Sequence, residues 1–417
     1  MGKDKQGISR RELLKGASAA ALTRSILGSG ALGILGQGTA QALDDATAKD
    51  WLGRWEKYIL DSARTRYCDK ETGEEIGWLI SPFLNGFYYG YLATQDAKWA
   101  DLLVDWADSW IKRGVKEPDG YLGWPKGGTG GAYSKDLLTD SQLGEAMALR
   151  PVILMADEIL KSPRLKEKHG PKAGEYLKLA EQTFQKWDSR GCWREVKEGG
   201  VWVVPPFGID PQTGKWTEGY EKRTIDGFSH PANKESFIAC WLIAMFDVTK
   251  KPVYRDRAEK WWRQMKSRLR LRDNGKYYVW NYWDPAGPWD YKPDGSTKHW
   301  VGVHPNGGYY GIDVEGIAAA HEHKLVFTKE EIGRLIATNR DFMWNQQVAG
   351  ARFQRIDGGS ADPRWKNSPG VLWTALLPYD ATLRKVFEAN HKPDSWGGLS
   401  ATPRYLAFRA AGPRPGR

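Results

Sequence analysis

The chain has 417 residues, a formal net charge of +10 and three cysteines, Cys68, Cys192 and Cys240. That length allows one large domain or two ordinary ones. With no block of consecutive Lys/Arg and no nucleic-acid motif, DNA or RNA binding is excluded; with no CxxC pair, so is a thiolate zinc site, and at most one disulfide can form.

Residues 9–15 read Ser-Arg-Arg-Glu-Leu-Leu-Lys, a weakly apolar run extends from Ala17 to Leu35, and Ala40-Gln41-Ala42 follows. Twin arginine, apolar stretch and small-x-small peptidase site stand in the order of a twin-arginine signal peptide. Arg24 and several Gly and Ser residues interrupt the run, so it is not a transmembrane span. Residues 1–42 are therefore expected to direct export of the folded protein, placing its work in the periplasm or outside the cell, with no membrane attachment after cleavage. The leader holds six basic and two acidic residues, so the mature chain keeps a charge of +6, which suits an acidic partner. No Ser/Gly/Pro linker divides residues 43–411, which are expected to form a single domain and a monomer; residues 412–417 form a polar C-terminal tail.

The mature chain reads as helices in pairs. Phe87, Tyr88, Tyr91 and Leu92 mark one helix, Ala93-Thr94-Gln95-Asp96 a turn, and Trp99, Leu102, Leu103, Trp106 and Trp110 the next helix. The pattern returns at 235–270. There Phe237, Cys240, Trp241 and Ala244 precede the turn 248–252, and Tyr254, Trp261 and Met265 follow it. Counted from the turn threonine, an aromatic falls at +5, Trp at +12 and an apolar residue at +16 in both segments, which marks a repeated unit. Residues 141–161 with 172–189, 311–325 with 329–345, and 370–377 with 380–390 fit more loosely. Thr328 with Glu331 forms a capping box. Cys240 falls in an apolar helix and reads as a core residue.

Gly/Trp/Pro-rich loops separate the hairpins at 117–131, 199–220, 273–308 and 356–369. About five to seven such hairpins in one domain predict an all-α fold, an α/α toroid whose inner helices ring a cleft lined by long aromatic loops. An open α-solenoid has less use for such loops. The 22 tryptophans serve mainly helix packing; Trp124 and Trp289, on loops, are candidates to stack on sugar rings.

His169 and His391 read as surface-loop residues, His299 as part of a charged loop, and His321-Glu322-His323 as a polar helix C-terminus. His230, in Gly-Phe-Ser-His-Pro-Ala-Asn-Lys-Glu, and His304, in His-Pro-Asn-Gly-Gly-Tyr-Tyr-Gly, each stand just before an inner-type helix. Asn233, Tyr309 and Tyr310 accompany them. Such a set fits β-elimination on a uronate: Asn or Arg neutralises the carboxylate, His takes the C5 proton, and Tyr protonates the departing oxygen. Arg352 and Arg355 are candidates to hold carboxylates of flanking sugars.

The hairpin repeat, the export signal and the His/Asn/Tyr set together resemble the α/α-toroid polysaccharide lyases, most closely those acting on glucuronan or alginate. The resemblance implies an acidic, uronate-containing polysaccharide as substrate, Asn233 neutralising charge, His230 or His304 as base, Tyr310 or Tyr309 as acid, and neither cofactor nor metal. The lyases' compact Asn-Asn-His element is replaced here by Ser-His-Pro-Ala-Asn, with His and Asn in the opposite order. Three alternatives stand beside it. A glycoside hydrolase on the same toroid would use two carboxyls from Asp140, Asp226, Asp313 and Glu315. A C5-epimerase would begin with the same proton abstraction. An exported sugar-binding protein would keep the tryptophans without the chemistry.

Overall fold

A computed structural model describes residues 46–127, 136–217, 220, 227–362, 364 and 367–411. The signal peptide and the polar tail expected at the two ends lie outside the described residues. The fold is the expected all-α toroid. Its helices are α1 Ala46–Ala63, α2 Ser81–Thr94, α3 Ala97–Lys112, α4 Gln142–Lys161, α5 Pro163–Ser189, α6 Ala232–Thr249, α7 Pro252–Arg268, α8 Gly308–Glu322, α9 Lys329–Ala337, α10 Ala381–Asn390 and α11 Gly398–Ala410.

Two kinds of helix alternate, and composition explains which is which. In α4 every residue from Gln142 to Ala156 is buried, and α6 is buried almost as continuously. A helix apolar on all sides must be covered on all sides. In α3 one stripe is buried, carrying Trp99, Leu103, Trp106 and Trp110. The inner helices α11, α2, α4, α6 and α8 pack each on the next, and α1, α3, α5 and α7 cover them from outside. Beyond α8 the place of an inner helix is taken by a single 3₁₀ turn, Thr374–Leu376.

The repeat seen in the sequence is a repeat in structure. The α2–α3 turn carries Gln95 at φ 57° and the α6–α7 turn carries Lys250 at φ 58°, left-handed residues that stop each inner helix. Trp99 and Tyr254, Trp106 and Trp261, and Trp110 and Met265 are buried at matching depths. The capping box at Thr328 and Glu331 is also formed.

Between helices, short antiparallel strands organise the loops. They are β1 Val115–Lys116, β2 Leu122–Gly123, β3 Lys126–Gly127, β4 Leu138–Thr139, β5 Trp193–Val196, β6 Gly199–Val204, β7 Phe228–Ser229, β8 Arg270–Arg272 and β9 Tyr277–Val279. Strands β5, β6 and β7 form one sheet, with Trp193 opposite Trp202 and Val203 opposite Ser229.

Several expectations are corrected. His169 lies within α5, which runs from Pro163 through Pro171, and its Nε2 meets Asp101 at 2.7 Å. His391 is packed between Phe387 and Trp51, with Nε2 2.8 Å from the Thr402 hydroxyl. The segment 370–377 forms only a turn, and the missing inner helix is α11, whose Gly, Ser, Thr and Pro residues hide it in the sequence. All three cysteines are free and buried.

Candidate active site at the N-termini of the inner helices

The first turns of α4, α6 and α8 bring Leu143, Met147, Phe237 and Ile312 together as an apolar cluster separate from the main core, with Trp78 and Tyr309 packed against it. This cluster forms the floor of a site on the barrel axis. The chain segment leading into α2 approaches it through a π-helical turn, Ile76–Ile80, of the kind frequent at functional sites. That approach needs Gly77 and Gly144. A Cβ on Gly77 would stand 2.7 Å from the Met147 sulfur, and one on Gly144 2.6 Å from the Gly73 carbonyl oxygen.

One wall of the site is charged. Lys234 donates to both Glu74 oxygens, at 3.0 and 2.9 Å, and the Trp78 indole N–H donates to Glu74 at 2.9 Å. Burial alone would raise the Glu74 carboxyl, but the charge and hydrogen bonds of Lys234 and the bond from Trp78 hold it below its ordinary range. It is therefore ionised at neutral pH.

His230 stands one turn before Lys234. Its backbone N–H donates to the Trp202 carbonyl at 3.1 Å, while the ring nitrogen Nδ1 is buried without a hydrogen-bond partner. Burial, then the nearby Lys234 charge, lowers its pKa to about 3, so the ring is neutral. Asn233 is buried beside it with Oδ1 unpartnered.

The opposite wall is aromatic. Tyr282 stacks on Trp300 with centroids 5.8 Å apart and on Tyr309 at 5.2 Å; His304 lies 4.6 Å from Tyr282 and 4.7 Å from Tyr309. Trp300 is 45% exposed, the open edge of this platform. Nδ1 of His304 accepts the Asn306 backbone N–H at 2.9 Å, which puts the ring proton on Nε2. Burial, with His299 and Arg355 nearby, lowers the His304 pKa to about 4. Asn306 in turn accepts the Gly308 N–H at the start of α8.

The structure thus gathers His230, Asn233, His304 and Tyr309 around one site and sets other expected residues apart from it. Tyr310 is buried, and its hydroxyl accepts the His304 backbone N–H at 2.6 Å. Trp124 is 1% exposed, its ring 4.7 Å from that of Trp110 and its N–H on the Trp110 carbonyl, so it offers no face to a sugar. Trp289 is half-buried and bonded to the Ser229 hydroxyl. Arg355 gives its fork to Asp357, at 3.0 and 2.6 Å. Arg352 is exposed on the short bridge joining Trp344 and Phe353.

The carboxyls proposed for a hydrolase are placed differently again. Asp140 accepts from Lys186 at 2.8 Å, Arg190 at 3.3 Å and the Trp124 backbone N–H at 2.7 Å, in a buried network with Glu117 and Glu145. It does not cap α4, a task taken by Ser141. Asp313 lies inside α8 rather than at its start and accepts from Ser236 at 2.8 Å and Trp280 at 2.9 Å. Burial pushes it up to about 7. Glu315 is sealed below the apolar floor. Asp226 is outside the described residues.

Glu74, Trp78, Lys234, Tyr282 and Trp300 were not singled out from the sequence. No helical spacing marked them: His230 precedes the helix that begins at Ala232, and Glu74 precedes the π-helical turn Ile76–Ile80. Among the described residues, no cluster of His, Cys, Asp and Glu suited to a metal ion occurs, and no helix is long and apolar enough to cross a membrane.

No protein-family model matches the chain, and no curated protein is similar to it in sequence. Solved structures do match its fold. An inactive variant of the α-1,6-mannanase GH76A of Salegentibacter sp. HEL1_6, in complex with α-1,6-mannotriose, is 12% identical with a TM-score of 0.45, covering 87% of this chain and 98% of that one. A GH76 α-mannanase of Bacteroides thetaiotaomicron is 13% identical with a TM-score of 0.45, at the same coverages. A D-mannose isomerase is 14% identical with a TM-score of 0.47, covering 88% of this chain and all of that one. At these identities the likeness bears on the fold alone.

The expectation of a glucuronan- or alginate-type lyase is overturned. The solved toroids named above are described as mannanases and an isomerase, not as lyases, and in this chain two of the side chains expected to serve elimination are engaged elsewhere. The Arg355 fork, one of two expected for a uronate, is occupied by Asp357, and the Tyr310 hydroxyl, expected with Tyr309 as alternative acids, is enclosed against the His304 backbone.

Proposed function

We propose that this protein is a carbohydrate-active enzyme that moves a proton on a sugar bound in the axial site, as an isomerase or epimerase does. The observation that carries this reading is the pair of buried, neutral imidazoles, His230 and His304, at the starts of two neighbouring inner helices. A neutral imidazole has a lone pair with which to accept a proton at physiological pH, and the ionised Glu74 near His230 favours the imidazolium that results. In this reading His230 Nδ1 takes the proton from the carbon beside the sugar carbonyl. That proton, exchanging with solvent while the ring holds it, is delivered to the adjacent carbonyl carbon as the hydroxyl proton passes to the carbonyl oxygen, giving the ketose, or a proton reaches the opposite face of the same carbon, giving the epimer. The Nε2–H of His304 and the Lys234 ammonium are donors for the oxygen on which charge develops. Trp300 and Tyr282 supply the face on which the ring stacks.

A second reading, hydrolysis of a glycosidic bond, is favoured by Glu74, an ionised carboxylate beside Trp78 at the same site. It requires a second carboxyl across the cleft, and Asp226 is the remaining candidate from the sequence. In either case residues 1–42 act as a twin-arginine signal, so the sugar is met outside the cytoplasm.

One experiment separates the readings. The mature protein is incubated in D₂O with a panel of free aldoses and, in parallel, with neutral oligosaccharides. Deuterium entering at the carbon beside the carbonyl, with ketose or epimer formed, supports proton transfer. New reducing ends from the oligosaccharides with no exchange on free sugars would move the assignment to hydrolysis.

A further inference from the structure

One turn below the apolar floor, the barrel axis turns polar. Arg150 follows Met147 by three residues on α4, Glu315 follows Ile312 by three on α8, and Cys240 follows Phe237 by three on α6. At 1.5 Å rise per residue each lies about 4.5 Å deeper than its partner in the floor. Arg404 reaches the same layer from α11, where it interacts with Tyr89, Glu315 and Arg150. Arg150, Glu315 and Arg404 are 3%, 1% and 5% exposed.

This layer is poorly satisfied by the protein. Arg150 Nη1 and Glu315 Oε1 are 3.9 Å apart, too far for a hydrogen bond. Arg150 Nε and Nη1, Arg404 Nη1 and Nη2, and both Glu315 oxygens are buried without a hydrogen-bond partner. Buried charged groups are ordinarily paired and bonded, and an unmatched one is strongly destabilising. The imbalance has a sign. Two guanidinium groups face one carboxyl within the layer, Glu322 acting on Arg404 from the end of α8, and burial pushes the Glu315 carboxyl up to about 8, so at neutral pH it is mostly protonated and adds a donor. The layer is therefore rich in N–H and O–H donors, poor in acceptors, and positively charged. Water brings as many donors as acceptors; an anion only accepts.

We propose that Arg150 and Arg404, with Glu315 between the helices that carry them, form a buried site for a small monovalent anion of the halide class on the barrel axis. The anion joins α4, α8 and α11 across the part of the ring where a 3₁₀ turn replaces an inner helix. It is separated from the sugar site by the floor of Leu143, Met147, Phe237 and Ile312, and the proposal does not depend on the function assigned to that site.

The test uses the mature chain in sodium bromide and in sodium gluconate at equal ionic strength, gluconate being too large to enter. Bromide is expected to raise the melting temperature by about 2–4 °C over gluconate. Crystals soaked in bromide are expected to give an anomalous peak between the two guanidinium groups. Arg404→Met should abolish both effects. Glu315→Gln, which keeps the layer neutral at the carboxyl and is the milder change, should retain them. Equal melting temperatures with no peak would overturn the proposal, as would a bromide effect that survives in Arg404→Met. If Arg404→Met does not fold, loss of the bromide peak in Glu315→Gln would count against it equally.

Discussion

Thr94 and Thr249 end the inner helices of two different hairpins and make the same two bonds. Each hydroxyl donates to the carbonyl four residues back at 2.7 Å, and each accepts the N–H two residues ahead, at 3.2 Å from Asp96 and 3.3 Å from Lys251. One side chain thus closes the last turn of one helix and fixes the approach to the next. Replacing either by valine keeps the shape and removes both bonds, so Thr94→Val and Thr249→Val should each cost about 1 kcal/mol. Urea titration measures this; a loss at one position with none at the other would mean that the two turns are not energetically equivalent.

Trp300 is the exposed end of the aromatic wall, stacked on Tyr282 with the His299 and His304 rings at its sides, and 45% exposed. Its removal should leave the fold intact, since a surface side chain away from the core contributes little to stability. A sugar ring would lose one stacking face, about 0.5–1.5 kcal/mol. Trp300→Ala is therefore expected to raise KM about two- to tenfold with kcat and melting temperature nearly unchanged. An unaltered KM would remove Trp300 from the binding surface.

The architecture was legible because the helices carry it locally. The Trp and Thr spacing of 83–113 and 235–270 reports a hairpin, and the structure repeats the threonine hydrogen bonds and the left-handed residue at both turns. Helix α11 was not legible: its buried face is made of Gly398, Ser400, Thr402 and Pro403 as much as of Leu399 and Leu406, so no apolar period stands out. The site was half legible. His230, Asn233, His304 and Tyr309 could be found because they precede strong inner helices. Glu74 could not, because its meeting with Lys234 joins segments far apart in sequence, and no local pattern records such a contact. The same reason defeated Asp140 and Asp313, whose roles are set by Lys186, Arg190, Ser236 and Trp280 rather than by their neighbours in the chain.

His391 gives a pH prediction free of the active site. Burial, then the Arg54 charge, lowers its pKa to about 3, against an ordinary value of 6.5. The unfolded chain takes up a proton that the folded chain refuses, so stability is full above about 6.5 and falls as pH drops toward 3. In that window each such histidine contributes a slope of about 1.4 kcal/mol per pH unit. His230, lowered to about 3, and His304, to about 4, act in the same sense. Denaturant midpoints measured from pH 7 to pH 4 should fall steadily, and His391→Gln should flatten the decline. An unchanged slope in the variant would show that His391 is protonated in the folded protein.

Glu74 and Lys234 test whether the charged wall acts as a unit. Lys234→Met leaves a buried carboxylate with only the Trp78 N–H, whereas Glu74→Gln with Lys234→Met leaves no unpaired charge. The double variant should thus be more stable than Lys234→Met alone, the mark of a coupled buried pair. Because the Glu74 carboxyl is held below its ordinary range, the pair's contribution is complete above the unfolded value, near 4.5, and disappears as pH falls through the lower folded value. Activity should divide differently. His230→Gln removes the base and should lower kcat about 10²–10⁴-fold with little change in melting temperature. Glu74→Gln keeps the hydrogen-bonding shape but not the charge, and should shift the acid limb of the pH–rate profile while leaving measurable turnover. If Glu74→Gln abolished turnover and His230→Gln preserved it, the carboxylate would be the reacting group, and the hydrolytic reading would replace proton transfer.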